Sequence, residues 1–253
     1  TNAGTVTNSN AITVNTTLTN VGEISNNGTL TVKGADQTLG LITDASTPTG
    51  TLNLQGSGTK TANANITQQY VNVAENVTLD NNSVLTAELL TNSGTVLSNA
   101  TNLKTDVTNT NLLVLEGGTY GNYTIDGEGT LRLDADTTNT GTITQGTLNT
   151  NSHKLTNSNT VTVNTTLTNS GSIANSGTLT VKGADQTLGL ITDSTGTLNL
   201  QGSGTKSANA NITQNTINVA SGVTLTNAST ITATSINNSG VINSVANNLV
   251  GSS

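Results

Sequence analysis

One block of this sequence is written twice. Residues 32–44 read VKGADQTLGLITD, and residues 181–193 repeat the same thirteen letters 149 positions later. Upstream, residues 7–20 (TNSNAITVNTTLTN) return as 156–169 (TNSNTVTVNTTLTN) at the same offset. Downstream, 51–60 (TLNLQGSGTK) return as 197–206, and 62–74 (ANANITQQYVNVA) as 208–220 (ANANITQNTINVA), at an offset of 146. The offset falls because residues 45–50 (ASTPTG), which hold the only proline, Pro48, are matched by 194–196 (STG). A segment that shortens while its flanks stay in register is expected to be a surface loop.

A duplication on this scale has to be explained before anything local is read. Inside the unit, apolar residues come singly or as alternating pairs, as in Ile12/Val14, Leu30/Val32, Leu52/Leu54 and Val71/Val73. Alternation over a few residues is the signal of a short strand, and the intervening Asn-, Ser- and Gly-rich clusters are turn chemistry. The one helix-length candidate, 84–90 (VLTAELL), has the strand-like counterpart ITATSI at 231–236, so it too is read as strand.

Composition limits the core these strands can share. Aromatic residues make up 1% of the chain and charged residues 8%, with no Cys, Met, Phe or Trp. Val, Ile, Leu and Ala alone suit a narrow core one or two side chains wide. Disorder is excluded by the wealth of Val, Ile and Thr, which disordered segments lack.

Sandwich, barrel and solenoid all use short strands. Copying a block of about a hundred residues favours the solenoid, in which each coil touches only its neighbours and can be duplicated without topological cost. The sequence therefore predicts an all-β, right-handed parallel β-helix of about ten to thirteen coils, three short strands per coil, a rod roughly 50–60 Å long at about 4.8 Å per coil. It is read as one solenoid over 1–253, with duplicates 1–100 and 150–253 around a unique insert, 101–149.

The net charge of −7, with Lys and Arg scattered singly, offers nucleic acid neither a basic groove nor stacking aromatics. No apolar run reaches the roughly 18 residues of a membrane helix, and no signal peptide is recognisable.

The insert differs in character. It carries the most apolar run, 112–115, two of the three tyrosines, and the densest charge. Tyr120, Tyr123, Asp126, Glu128, Arg132, Asp134 and Asp136 form the candidate ligand-contact patch. Asp126/Glu128 and Asp134/Asp136 are carboxylates two residues apart, a spacing that places both on one strand face about 6–7 Å apart, as in paired-acid glycoside hydrolysis. Exposed solubilising charge is the preferred account of them, since two of these acids sit among Gly127 and Gly129 in an expected turn.

No catalytic residue, metal site or cofactor emerges. His153 is the only histidine, without a cysteine or a G-x-S-x-G context to work with. The D-x-D pairs lack the rest of a calcium loop, and QGSGTK at 55–60 and 201–206 lacks phosphate-loop spacing; both copies are read as turns. Lys33, Asp36, Asp44 and Lys60 recur in the second copy, and a local ion pair at the KGAD corner would account for that retention. Threonine is abundant at outward positions. Stacked Thr-x-Thr rows can bind ice, but the register this requires is not legible from the sequence.

The phrases TNSGT (91–95) and NSGTLTV (175–181), the Asn/Thr/Gly/Ser richness and the near-identical blocks resemble the passenger regions of bacterial autotransporters and haemagglutinin-like exoproteins, with the texture of rickettsial-type surface antigens. The resemblance implies a right-handed β-helix displayed on the bacterial cell surface, outside the outer membrane, and used for adhesion or self-association. It implies a non-enzymatic extracellular rod whose partners are a host-cell or matrix ligand or a copy of itself. A carbohydrate-active β-helix using acids of 126–136 and an ice-binding solenoid are the alternatives.

Overall fold

The structure is a computed structural model that describes residues 1–45 and 47–251. The chain divides into two compact units, one comprising Thr1–Glu116 and Tyr123–Asp126, the other Gly117–Asn122 and the residues from Gly127 onward. The division falls inside the unique insert.

Each unit is a β-solenoid of parallel strands. In the first, Thr5 pairs with Glu23 and Glu23 with Leu41, a step of 18 residues. The step lengthens to 24 between Ile42 and Ile66, where the coil carries the Pro48 loop, and shortens to 17 between Thr95 and Leu112. In the second unit, Thr142 pairs with Thr160 and Thr160 with Thr178, again 18 apart. Counted over both units the chain makes about 14 coils, slightly more than expected because so many of them are this short. No α-helix occurs among the described residues, and Leu85–Asn92 is a strand.

Register explains why alternating aliphatics suffice. In the first unit Ile12, Leu30, Leu52, Val71, Leu90 and Val107 occupy one column, each the lateral partner of the next. In the second, Ile143, Val161, Leu179, Leu198 and Ile217 do the same. Leu30, Leu52, Val71 and Leu90 are fully buried, as are Val161, Leu179 and Leu198. Burying such a side chain is worth about 1.5–3 kcal/mol, and stacking one column on itself repeats that gain at every coil.

Corners are built differently. The motif Asn-x-Gly or Asn-x-Asn recurs at Asn8, Asn26, Asn92, Asn109, Asn139, Asn157 and Asn175, in steps of 17 or 18 within each run. These asparagines point inward and are at most 5% exposed. The side-chain oxygen of Asn92 accepts the N–H of Gly94, and that of Asn139 the N–H of Gly141, both at 3.1 Å, which is an Asx turn. The side-chain nitrogen reaches along the solenoid: Asn139 Nδ2 donates to Asn157 Oδ1 at 2.9 Å, and Asn175 Nδ2 to Gln214 Oε1 at 2.6 Å. Buried amides that would each cost free energy alone satisfy one another instead.

Candidate functional site

The candidate patch is divided between the two units. Asp126 is exposed at the end of Thr124–Asp126, and Tyr123, just before that strand, is half-buried; both belong to the first unit. Tyr120, in the second unit, is fully buried, so its ring is core and is not offered to a ligand.

The charged residues of Thr130–Asn139 are held by their own unit. Arg132 grips Asp134 in a two-pronged pair, Nε to Oδ1 at 2.8 Å and Nη2 to Oδ2 at 2.6 Å, with about a third of each side chain exposed. The two residues lie two apart on one strand, so their side chains share a face. Asp134 Oδ1 also accepts Asn151 Nδ2 at 2.9 Å. These hydrogen bonds, Arg132 foremost, hold the Asp134 carboxyl below its usual range. Asp136 Oδ1 accepts the backbone N–H of Lys154 at 2.8 Å and lies 3.8 Å from His153 Nδ1. Glu128 Oε1 accepts Asn164 Nδ2 at 3.1 Å. Each acid thus bonds a residue 17 to 36 positions further along. A general acid needs a raised pKa, and Asp134 is shifted the other way.

Two charged residues of structural weight escape a reading by composition. Lys60 and Lys206, duplicates of each other, are fully buried. Lys60 Nζ donates to the carbonyls of Gly34, Ala35 and Ser57, and Lys206 Nζ to those of Gly183, Ala184 and Ser203. Three donors meet three acceptors, closing the KGAD corner on the next coil. Burial lowers both pKa values, while Asp36 and Asp185 pull the other way. The ion pair expected at the KGAD corner is absent: among the described residues no acid comes within 4.0 Å of Lys33, Lys60, Lys182 or Lys206. Asp36 Oδ1 instead accepts the N–H of Thr59 at 2.8 Å, as Asp185 does that of Thr205 at 2.7 Å. In QGSGTK both glycines have positive φ, +80° and +76° at Gly56 and Gly58, which is turn geometry.

The second unit also supplies a threonine register that the sequence alone did not. Thr142, Thr160, Thr178, Thr197 and Thr216 are successive lateral partners. Two residues on, the parallel column runs Thr144, Thr162, Thr180, Asn199, Asn218, Asn237. Its amides are linked, Asn218 Nδ2 to Asn199 Oδ1 at 2.7 Å and Asn237 Nδ2 to Asn218 Oδ1 at 2.8 Å. The varied steps at the second copy's loops, 19 residues instead of 18, obscure this alignment when the letters are read in a line.

Among the described residues no cluster of three or more His, Cys, Asp or Glu is placed to hold a metal ion, and no helix is long and apolar enough to cross a membrane. Comparison with known proteins finds no matching family model, no matching curated protein and no matching solved structure.

Proposed function

We propose that this chain is a structural and adhesive β-solenoid of the bacterial cell surface, binding a host-cell or matrix ligand, or copies of itself, through its side wall. The observation that supports it most is the pair of columns running from Thr142/Thr144 to Thr216/Asn218, hydroxyls and amides that reach the surface at every coil except at Thr180, which is buried and accepts Asn199 Nδ2 at 3.2 Å. Such a surface makes many weak, repeated contacts and suits attachment. The acids at 128, 134 and 136 are engaged in hydrogen bonds that hold coils together, so the reading includes no catalytic step. The resemblance to autotransporter passengers points the same way.

The test is adhesion of purified chain, immobilised on beads, to epithelial cells and to matrix-coated plates, with sedimentation velocity for self-association. Retention above an albumin control, or concentration-dependent oligomers, is the expected outcome. A monomer that adheres to neither surface would sink the reading.

A second reading has its own support. Thr-x-Thr recurs in three successive coils, followed by Thr-x-Asn in two, the stacked register of an ice-binding face, although the hydroxyl of Thr180 in the third is buried. Thermal hysteresis above buffer that disappears in Thr162→Tyr would establish it; a flat response ends it.

A further inference from the structure

The duplicates act as an internal control, because residues that only the fold needs are retained in both. From 51 to 74 the two copies differ at four positions, 61, 69, 70 and 71. Three of these changes are conservative: Thr to Ser, Gln to Asn, Val to Ile. The fourth replaces Tyr70, an exposed aromatic, with Thr216. Just upstream lies the three-residue loop difference, and at 88 a glutamate is replaced by Thr234.

Three of these differences, the loop, Gln69 and Glu88, meet around one groove, with Tyr70 next to it in the chain. A cavity of about 340 Å³ in the first unit is lined by Thr47, Pro48, Gln68, Gln69, Ala87 and Glu88. Pro48 and Ala87 provide an apolar surface, and Tyr70 follows Gln69 directly in the chain. Gln68 is fully buried and fixed, its Nε2 donating to the carbonyls of Asn26, Thr43 and Thr67. On the rim Gln69 Nε2 donates to Glu88 Oε2 at 3.0 Å, which orients the carboxylate and leaves Oε1 to accept from a ligand. In the second copy the residues matching Thr47 and Pro48 are missing and the carboxylate is gone, while Gln214, Thr232 and Ala233 keep the underlying coil.

From this we infer that the groove under Pro48 is a binding site for a neutral oligosaccharide, its C–H face against Pro48 and Ala87 and a hydroxyl donated to Glu88. The volume lies at the small end of ordinary ligand sites, roughly 300–1,000 Å³, enough for a short saccharide segment. A carboxylate on the rim of a chain of net charge −7 disfavours acidic glycans. The inference rests on the reading of the chain as a contact protein and names the chemistry of what it contacts.

The experiment is calorimetric titration of the full chain with neutral cello-, malto- and chito-oligosaccharides, and with oligo-lysine as the cationic competitor, alongside the adhesion assay. One neutral series binds saturably, and Glu88→Thr weakens it about tenfold, the loss of one charge-assisted hydrogen bond. Tyr70→Thr and Glu88→Thr install the residues of the second copy, so folding is preserved, and circular dichroism checks it. No heat with any neutral series overturns the inference, as does binding that both variants leave untouched or an effect of Glu88→Thr confined to oligo-lysine. Adhesion that persists without saccharide binding removes this inference alone; saccharide binding without adhesion removes the adhesive reading alone.

Discussion

Asn157 Nδ2 donates to Asn175 Oδ1 at 2.7 Å, from one coil to the next, and both side chains are fully buried. Asn157 Oδ1 in turn accepts Asn139 Nδ2 at 2.9 Å, so three coils share one line of amides with every dipole aligned. The corner is polar inside because the chain must turn there, and turning leaves backbone groups that a leucine could not satisfy.

Asn157→Ala therefore removes a partner on both sides and leaves Asn139 Nδ2 and Asn175 Oδ1 each short of a bond in the interior. The expected loss is about 2–4 kcal/mol, since each orphaned buried group costs about 1–3. Asn237→Ala, in the outer amide column, should cost under about 1 kcal/mol because its partners reach water. Urea midpoints of the two variants decide it, and equal midpoints would rule out a special role for the inner line.

At Gly177, two residues after Asn175, the neighbouring coil leaves no room for a side chain. A Cβ on Gly177 would stand 2.0 Å from the carbonyl oxygen of Asn159, whereas one on Gly4 meets nothing within 4 Å. Gly177→Ala is expected to destabilise by more than about 2 kcal/mol, and Gly4→Ala to change stability by less than about 0.5. Thermal melts of the pair check this; a neutral Gly177→Ala would mean that the coils separate easily.

The aliphatic columns and turn clusters were legible because they are local: Leu30/Val32 alternates within four letters, and the duplicated blocks preserve it. The coil interior beyond the aliphatics was not. Asn92, Asn139 and Lys60 look like turn and surface residues in the sequence, because the groups that satisfy them arrive from neighbouring coils or from the far side of a turn. The Asn-x-Gly/Asn step of 17 or 18 was the available signal, visible once each Asn is aligned with the next rather than with its own strand. Tyr120 misled for the complementary reason: an aromatic beside glycines and charges suggests a contact surface, yet its ring fills the core of its own unit. The groove under Pro48 was marked only indirectly, by the loop that the second copy lacks.

Lys60→Met tests the corner. The methionine keeps the stem's volume but strands the carbonyls of Gly34, Ala35 and Ser57, and the expected cost is about 2–4 kcal/mol. Lys206→Met should cost the same, since its three carbonyls are the duplicates. A stabilised Lys60→Met in denaturant titration would show that the ammonium's desolvation outweighs its hydrogen bonds.

The Arg132–Asp134 pair predicts an acid-side effect whose sign follows from the lowered carboxyl pKa. Unfolded, Asp134 titrates near 3.9, about the ordinary value; folded, it titrates lower, because Arg132 and then Asn151 bond the charged form. At pH values between the two, the unfolded chain binds more protons than the folded one, so stability falls as the medium is acidified. The contribution is thus complete above about pH 4–5 and disappears as pH drops through the folded value. With about a third of each side chain in solvent, it amounts to about 1 kcal/mol or less and shrinks in high salt. Asp134→Asn should lower stability by that amount at neutral pH and converge on the parent chain as pH falls through the folded value of Asp134. Arg132→Gln should raise the carboxyl midpoint of Asp134, read by NMR titration, back towards the ordinary range. Parent and Asp134→Asn stability curves that run parallel from neutral pH into acid would show that Arg132 holds nothing in place there.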